Sequence, residues 1–311
     1  MILRDRPLTG AASRSRNTLV LMVLALALVA LPKAGEGGEV LRVFVSVPPQ
    51  QTFVERIGGE RVQVRTMVQP GHSPATYDPS PRQVAELAKA DLYVRTGVPF
   101  EDAWMTRIRA ANPDLRMLDV RKGIPLRELS ASDQGDVAGG SEAIHVHGEE
   151  KDPHIWTSPP LVKIMARNIR DTLSELDPTG GHDYAANYAA FAAELDALDR
   201  DIREQLAHLP ARRFMVFHPA WGYFADTYGL TQVPIETEGK EPGPRTLAAL
   251  IEQAKREGVK VVFVQPQFDE KSAQQVARAI GGRVEFIDPL SPDYVQNLRR
   301  VTRLIAQAGT P

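Results

Sequence analysis

The sequence predicts an α/β protein of two lobes, each a small parallel sheet flanked by helices, joined by one long rigid helix. Three observations lead there. Short Val-rich or alternating apolar runs, bounded by Pro and Gly, recur between helix-spaced segments in both halves of the chain, the rhythm of parallel sheets covered by helices. Between the halves the large apolar residues fall at 184, 188, 191, 195, 198, 202, 206 and 209, the spacing of one uninterrupted helix of about seven turns. At 311 residues the chain is also long enough for two ordinary domains with sizeable cores.

Residues 1–34 stand apart. Arg4, Arg6, Arg14 and Arg16 precede an apolar run over 19–31 that is too short to span a bilayer comfortably, and the pair reads as a secretory signal. Cleavage is expected between Ala30 and Gly38. Losing this segment removes five cations and one anion, taking the formal charge from −2 to −6. That mildly acidic balance argues against nucleic acid as a partner. Cysteine is absent, which excludes a disulfide framework, a lipid-anchored cysteine at the cleavage site, thiolate metal sites and iron–sulfur clusters. Any metal must therefore be held by imidazole and carboxylate, and a soluble periplasmic protein is the simplest fit.

The N-terminal lobe is expected over 39–181. A Val-rich run at 40–47 reads as a buried strand ended by Pro48-Pro49, followed by a helix over 51–57 that stops at Gly58-Gly59. A second strand, 61–68, runs into the turn-rich 69–74; a helix with Pro81 at its start covers 81–90, a third strand 91–96 and a further helix 100–111. The stretch 129–151 is rich in Ser, Gly, Asp and Glu, lacks periodicity, and is expected to be a mobile surface loop. Ser158-Pro159-Pro160 then makes a helix start, with the Ser158 hydroxyl as cap, and apolar residues at 161, 164, 165, 169, 173 and 176 give that helix one face. The spine helix is placed at 182–209 and the C-terminal lobe at 210–311. That lobe reads as strands at 214–217, 259–264 and 284–287 with helices at 221–228, 246–257, 271–280 and 297–308.

The chemistry-bearing residues stand where these strands end. His72 follows the second strand, His218-Pro219 follows the first strand of the second half, Gln265-Pro266 the next, and Asp288-Pro289 the last. Ligands of parallel α/β sheets bind beyond the carboxyl ends of strands. His154 is held between Pro153 and the bulky Ile155-Trp156, just ahead of a helix start. Each residue alone is equally a loop residue capping a turn; the combination points to a metal. Three imidazoles and one carboxylate are the donors that zinc takes when thiolate is missing, and a nitrogen-rich site favours zinc over manganese.

The motifs FHPAWGYFADTYGL, DPHIW, TEGKEPGPRTLAALI, FVQPQFDEKSA, IDPLSPDY, PGHSPATYDPSPRQ and VSVPPQQTFVERIGGE resemble, in order, those of the zinc/manganese-type solute-binding proteins of ABC importers. The resemblance implies two α/β lobes joined by one long rigid helix, with a divalent ion at their interface. It implies delivery of that ion to an inner-membrane permease and its ATPase, no catalysed reaction, and a monomer. By motif, His154, His218 and Asp288 look like three of four ligands to Zn2+, with Mn2+ as the alternative. The family's first ligand usually follows the proline of a Pro-His-x-Tyr/Phe-Asp/Glu pattern, but Ala75 stands there. Either His72 replaces it, or three protein ligands leave a place for water or another side chain.

His145 and His147, beside Glu149 and Glu150, read as an ion-capturing entrance or as plain solvated loop. Glu236, Glu238 and Glu241 read as surface charge or as groups orienting a ligand histidine through its other ring nitrogen. His182 and His208 are given no ligand role. Two other functions fit parts of the pattern: a zinc hydrolase with an open three-ligand site, though no His-Glu-x-x-His helix is present, and a surface adhesin.

Overall fold

Two parallel four-stranded sheets with the same strand order organise the chain. They are seen in a computed structural model that describes residues 1–2, 39–129, 151–236 and 240–309. The chain divides into the units Met1–Gly37 and Gly38–Pro311, and the fold below is that of the second. Residues 3–34 of the expected signal, and His145 and His147 of the expected loop, lie outside the described residues. The ends of that loop are described: Glu128 and Lys151 pair as an antiparallel bridge, with Lys151 Nζ 2.7 Å from Glu128 Oε1.

The first sheet comprises β1 (Leu41–Val45), β2 (Val62–Thr66), β3 (Leu92–Arg95) and β4 (Arg116–Asp119) in the order β2-β1-β3-β4. Val43 is in register with Val64 on one side and Leu92 on the other. Its helices are α1 (Pro48–Gly58), α2 (Pro81–Leu87) and α3 (Pro99–Ala111). Helix α1 begins three residues earlier than expected. Pro48 and Pro49 occupy its first turn, where amides have no intrahelical partner, so they open the helix as well as ending the strand.

Next come α4 (Pro159–Leu176) and α5 (Gly181–Leu206). Ser158 precedes α4, but its hydroxyl does not cap it; Ser158 Oγ instead pairs with Thr227 Oγ1 at 2.8 Å. Helix α5 has 26 residues, about 39 Å at 1.5 Å per residue. Tyr184, Phe191, Leu195, Leu198, Ile202 and Leu206 form its buried stripe. Leu209 falls just beyond its end and still packs on the core.

The second sheet, β5 (Arg213–Val216), β6 (Thr231–Pro234), β7 (Val261–Val264) and β8 (Arg283–Phe286), runs β6-β5-β7-β8, with α6 (Gly222–Tyr228), α7 (Pro244–Arg256), α8 (Lys271–Ala279) and α9 (Tyr294–Ala308). β4 and β6 were not expected. Both are four-residue strands beside a single neighbour, too short to show a period, and β6 ends in a proline that an edge tolerates.

One continuous core takes in the first sheet, α4, the α5 stripe, α9 and one face of the second sheet. A smaller cluster, including Met215, Val262, Leu247 and Val276, lies on the other face under α7 and α8. Helix α5 packs against α1, α4 and α9, so both sheets share apolar burial through it. Among the described residues no helix is long and apolar enough to cross a membrane.

Candidate metal centre

In the second sheet the strand order reverses between β5 and β7, and such a reversal opens a crevice at the carboxyl edge. His218 stands there, two residues past β5. Gln265, fully buried and directly past β7, grips its backbone: Oε1 accepts from His218 N at 3.2 Å, and Nε2 donates to His218 O at 2.7 Å. The His218 ring stacks on Phe268 with centroids 4.8 Å apart. Its Nδ1 lies 2.5 Å from Oε1 of Glu236, a carboxylate only 2 % exposed and two residues past β6. Burial pushes the His218 pKa below its ordinary value; Glu236 opposes this, and the charge of His154 adds to it.

His154 reaches the same place from the other half. Asp152, fully buried, accepts from His154 N at 2.9 Å and from its ring Nδ1 at 2.8 Å, both on Oδ1. Arg127 Nη1 donates to Asp152 Oδ2 at 2.9 Å. Burial pushes this carboxyl up, but the bonds from His154 and Arg127 outweigh it and hold its pKa below the usual value. Trp156, edge-on to His154 at 5.3 Å, donates from Nε1 to Pro289 O at 2.8 Å.

The two imidazoles meet with centroids 5.2 Å apart and planes at 77°. With each Nδ1 engaged by a carboxylate, Nε2 is the nitrogen left to bind a metal, the pairing that fixes the tautomer of ligand histidines. Both rings line a cavity of about 20 Å3 with Ser73, Pro74, Gln267, Phe268, Pro289 and Leu290. About 10–15 Å3 on this scale holds one water, so the space suits a single ion. A slightly larger cavity, about 30 Å3, lies at the amino ends of β5 and β7. Its charged groups are already paired, Arg213 with Glu257 and Lys260 with Ile280 O.

The other two expected ligands stand off the cavity wall. His72 is exposed and packs edge-on against Tyr77 at 5.7 Å; its neighbours Ser73 and Pro74 do the lining. Asp288 is partly buried, its Oδ1 accepting from Gln267 Nε2 at 3.0 Å and from Leu290 N at 2.9 Å. Among the described residues, no three of His, Cys, Asp and Glu are grouped to hold an ion. Of the three glutamates, Glu236 has the ring contact, Glu238 lies outside the described residues, and Glu241 is exposed. Sequence reasoning missed Asp152, although the Asp-Pro-His spacing that lets a carboxylate reach back to the ring was visible. Arg127 carried no signal.

Two parallel sheets joined through one long helix, with imidazoles from both halves facing across an ion-sized cavity, define a two-lobed solute-binding protein. The model of the family described as "Zinc-uptake complex component A periplasmic" (ZnuA) matches residues 43–308, and the chain belongs to that family. It is 29% identical to the high-affinity zinc uptake system protein ZnuA of Bacillus subtilis over 265 residues, 83% of this chain and 81% of that one. It is 28% identical over 283 residues to the zinc-binding lipoprotein AdcA of Streptococcus pneumoniae, 88% of this chain and 55% of that one. The chain thus spans about half the length of the pneumococcal relatives it matches. A crystal structure of ZnuA superposes with a TM-score of 0.80 at 41% identity, covering 88% of this chain and 100% of that one. The resemblance read from the motifs, and the two-sheet architecture, are borne out.

Proposed function

We propose that the chain captures a divalent metal ion, zinc before manganese, and delivers it to the permease and ATPase of an ABC importer. The reading places it in the periplasm as a monomer after loss of the 1–34 signal, with lobes at 39–181 and 210–311 joined by the 182–209 helix. The observation that carries it is the His154–His218 pair, each ring backed by a buried carboxylate and facing an ion-sized space. Both histidines bind through Nε2. Asp288 joins them by exchanging its bond to Gln267, since its neighbours Pro289 and Leu290 already wall the space. His72, or a water in its place, supplies the fourth donor as the 72–75 loop closes. Three imidazoles and a carboxylate favour zinc; without His72 the set falls to two imidazoles and a carboxylate, and that preference weakens. A hydrolase reading has less support, because Asp152 and Glu236 are engaged with ring nitrogens rather than poised as a general base.

The test is zinc titration of metal-free protein with a native mass readout. His154→Ala and His218→Ala should each weaken binding by more than about tenfold. Wild-type affinity in both variants would refute the reading.

A further inference from the structure

His154 belongs to the first half of the chain, yet much of what holds it belongs to the second. Asp152 fixes the ring, and Arg127 fixes Asp152. The same guanidinium donates from Nε to Asp226 Oδ2 at 2.9 Å, on helix α6, and lies over the ring of Tyr223, 5.8 Å from its centroid. The Tyr223 hydroxyl accepts from Arg127 N and donates to Asp152 O, both at 3.0 Å. Space for this fork is kept by Gly222 at the start of α6. A Cβ there would stand 1.7 Å from Arg127 Nη1 and 2.8 Å from Asp152 Oδ2. Nearby, Trp156 bonds Pro289 and Ser158 bonds Thr227. His218 lies only four residues before α6. Both histidines are therefore referenced to one short helix.

We infer that Arg127 is a positioning residue for metal capture. By tying Asp152 to Asp226 and Tyr223 it seats His154 on the second half, so that His154 and His218 stand as one preformed pair. This rests on the metal-binding reading above and adds to it which half carries the ring. Arginine suits the role because its planar fork addresses two carboxylates at once, which a lysine ammonium does not do with fixed geometry. Loss of the guanidinium leaves the buried Asp152 carboxylate without its cation and frees the ring that it orients.

The experiment is a double-mutant cycle on the full chain, reading zinc affinity by competition with a fluorescent chelator. Arg127→Gln should weaken zinc binding about 10–100-fold in the wild-type background. In the His154→Ala background it should have little effect, because the ring that it positions is gone. A ratio of these two effects above about threefold supports the inference, and a smaller ratio overturns it, since a merely structural role acts alike in both backgrounds. If Arg127→Gln does not fold, Asp226→Asn is read in the same cycle against the same ratio. Wild-type protein that fails to bind zinc sinks the metal-binding reading itself; wild-type binding with no coupling sinks only the role of Arg127.

Discussion

Replacing Glu236 measures what the carboxylate behind His218 contributes to metal capture. The group is 2 % exposed and lies 2.5 Å from Nδ1 of the ring, so its bond is charge-assisted and shielded from water. Hydrogen bonds to charged groups contribute about 1.5–3 kcal/mol. At about 1.4 kcal/mol per tenfold, Glu236→Ala should weaken zinc binding about 10–150-fold. Glu236→Gln keeps an acceptor oxygen but not the charge, and a neutral bond of about half the strength predicts a loss of about 3–12-fold. The assay is competition against a fluorescent zinc chelator at neutral pH, with melting of the metal-free protein as a control for folding. A second signature comes from acid. Burial holds the His218 pKa below 6.5 while Glu236 pulls it upward, so the variants lose protons from this ring more easily. Protons then compete less with zinc, and the gap to wild type should narrow as pH falls. Glu236→Ala binding within about threefold of wild type, or a gap that widens in acid, would refute the reasoning.

His72→Ala decides the fourth donor: if the exposed ring stays on Tyr77 and water fills that place, zinc affinity changes by less than about threefold, whereas a loss equal to that of His154→Ala in the same titration makes His72 the donor. The neutral imidazole is the binding form and the His218 pKa lies below 6.5, so affinity is fully present above that value and lost as pH falls through the lowered one. Zinc titrations should hold level down to about pH 6.5 and weaken below it, and a profile flat to about pH 5 would contradict a histidine site. Gly222→Ala pushes a methyl into Arg127 and Asp152, which should lower thermal stability by about 1–3 kcal/mol and weaken zinc binding together; no change in either would contradict the packing described. Leu198→Ala empties a fully buried position on α5 at about 2–5 kcal/mol. Urea unfolding should remain a single transition because the core is continuous across both sheets, and two separate transitions would contradict that.

What the sequence revealed follows from how far each interaction reaches along the chain. The α5 stripe, the strands β1 and β7 and the histidines beside prolines are local patterns, and all were readable. β4 and β6 were hidden because four residues against one neighbour carry no period. The ring partners divide in the same way. Asp152 lies two residues from His154, whereas Glu236 reaches the His218 ring from 18 positions away, Gln265 grips His218 from 47 and Arg127 lies 25 from Asp152. Spacing encodes none of these long reaches. The 72–75 loop was legible as a departure from its relatives, but not which of its residues faces the cavity.

The two sheets share a strand order, yet on the proposed function only one uses its reversal point for a ligand. In the first sheet the order reverses between β1 and β3, and that position is filled from within. Glu101 is fully buried and accepts from Thr96 N at 2.8 Å, Gly97 N at 2.9 Å and Arg95 Nε at 3.0 Å. Ser46 and Tyr93 pair beside it through their hydroxyls at 2.8 Å. Burial raises the Glu101 carboxyl above its ordinary pKa, against the pull of these donors, which marks the position as closed to water. Glu101 also anchors the start of α3, and the adjacent Phe100 donates from its amide to Pro74 O at 3.3 Å and packs edge-on against Tyr77. The plugged crevice therefore carries the loop whose Ser73 and Pro74 wall the metal cavity. In the second sheet the equivalent position presents His218 to that same cavity. On the proposed function this makes the halves unequal: the second, with His154 fastened to it through Arg127, holds the ion, and the first supplies a braced cover. A variant that loosens Glu101 should then speed zinc release while leaving the His154–His218 pair intact.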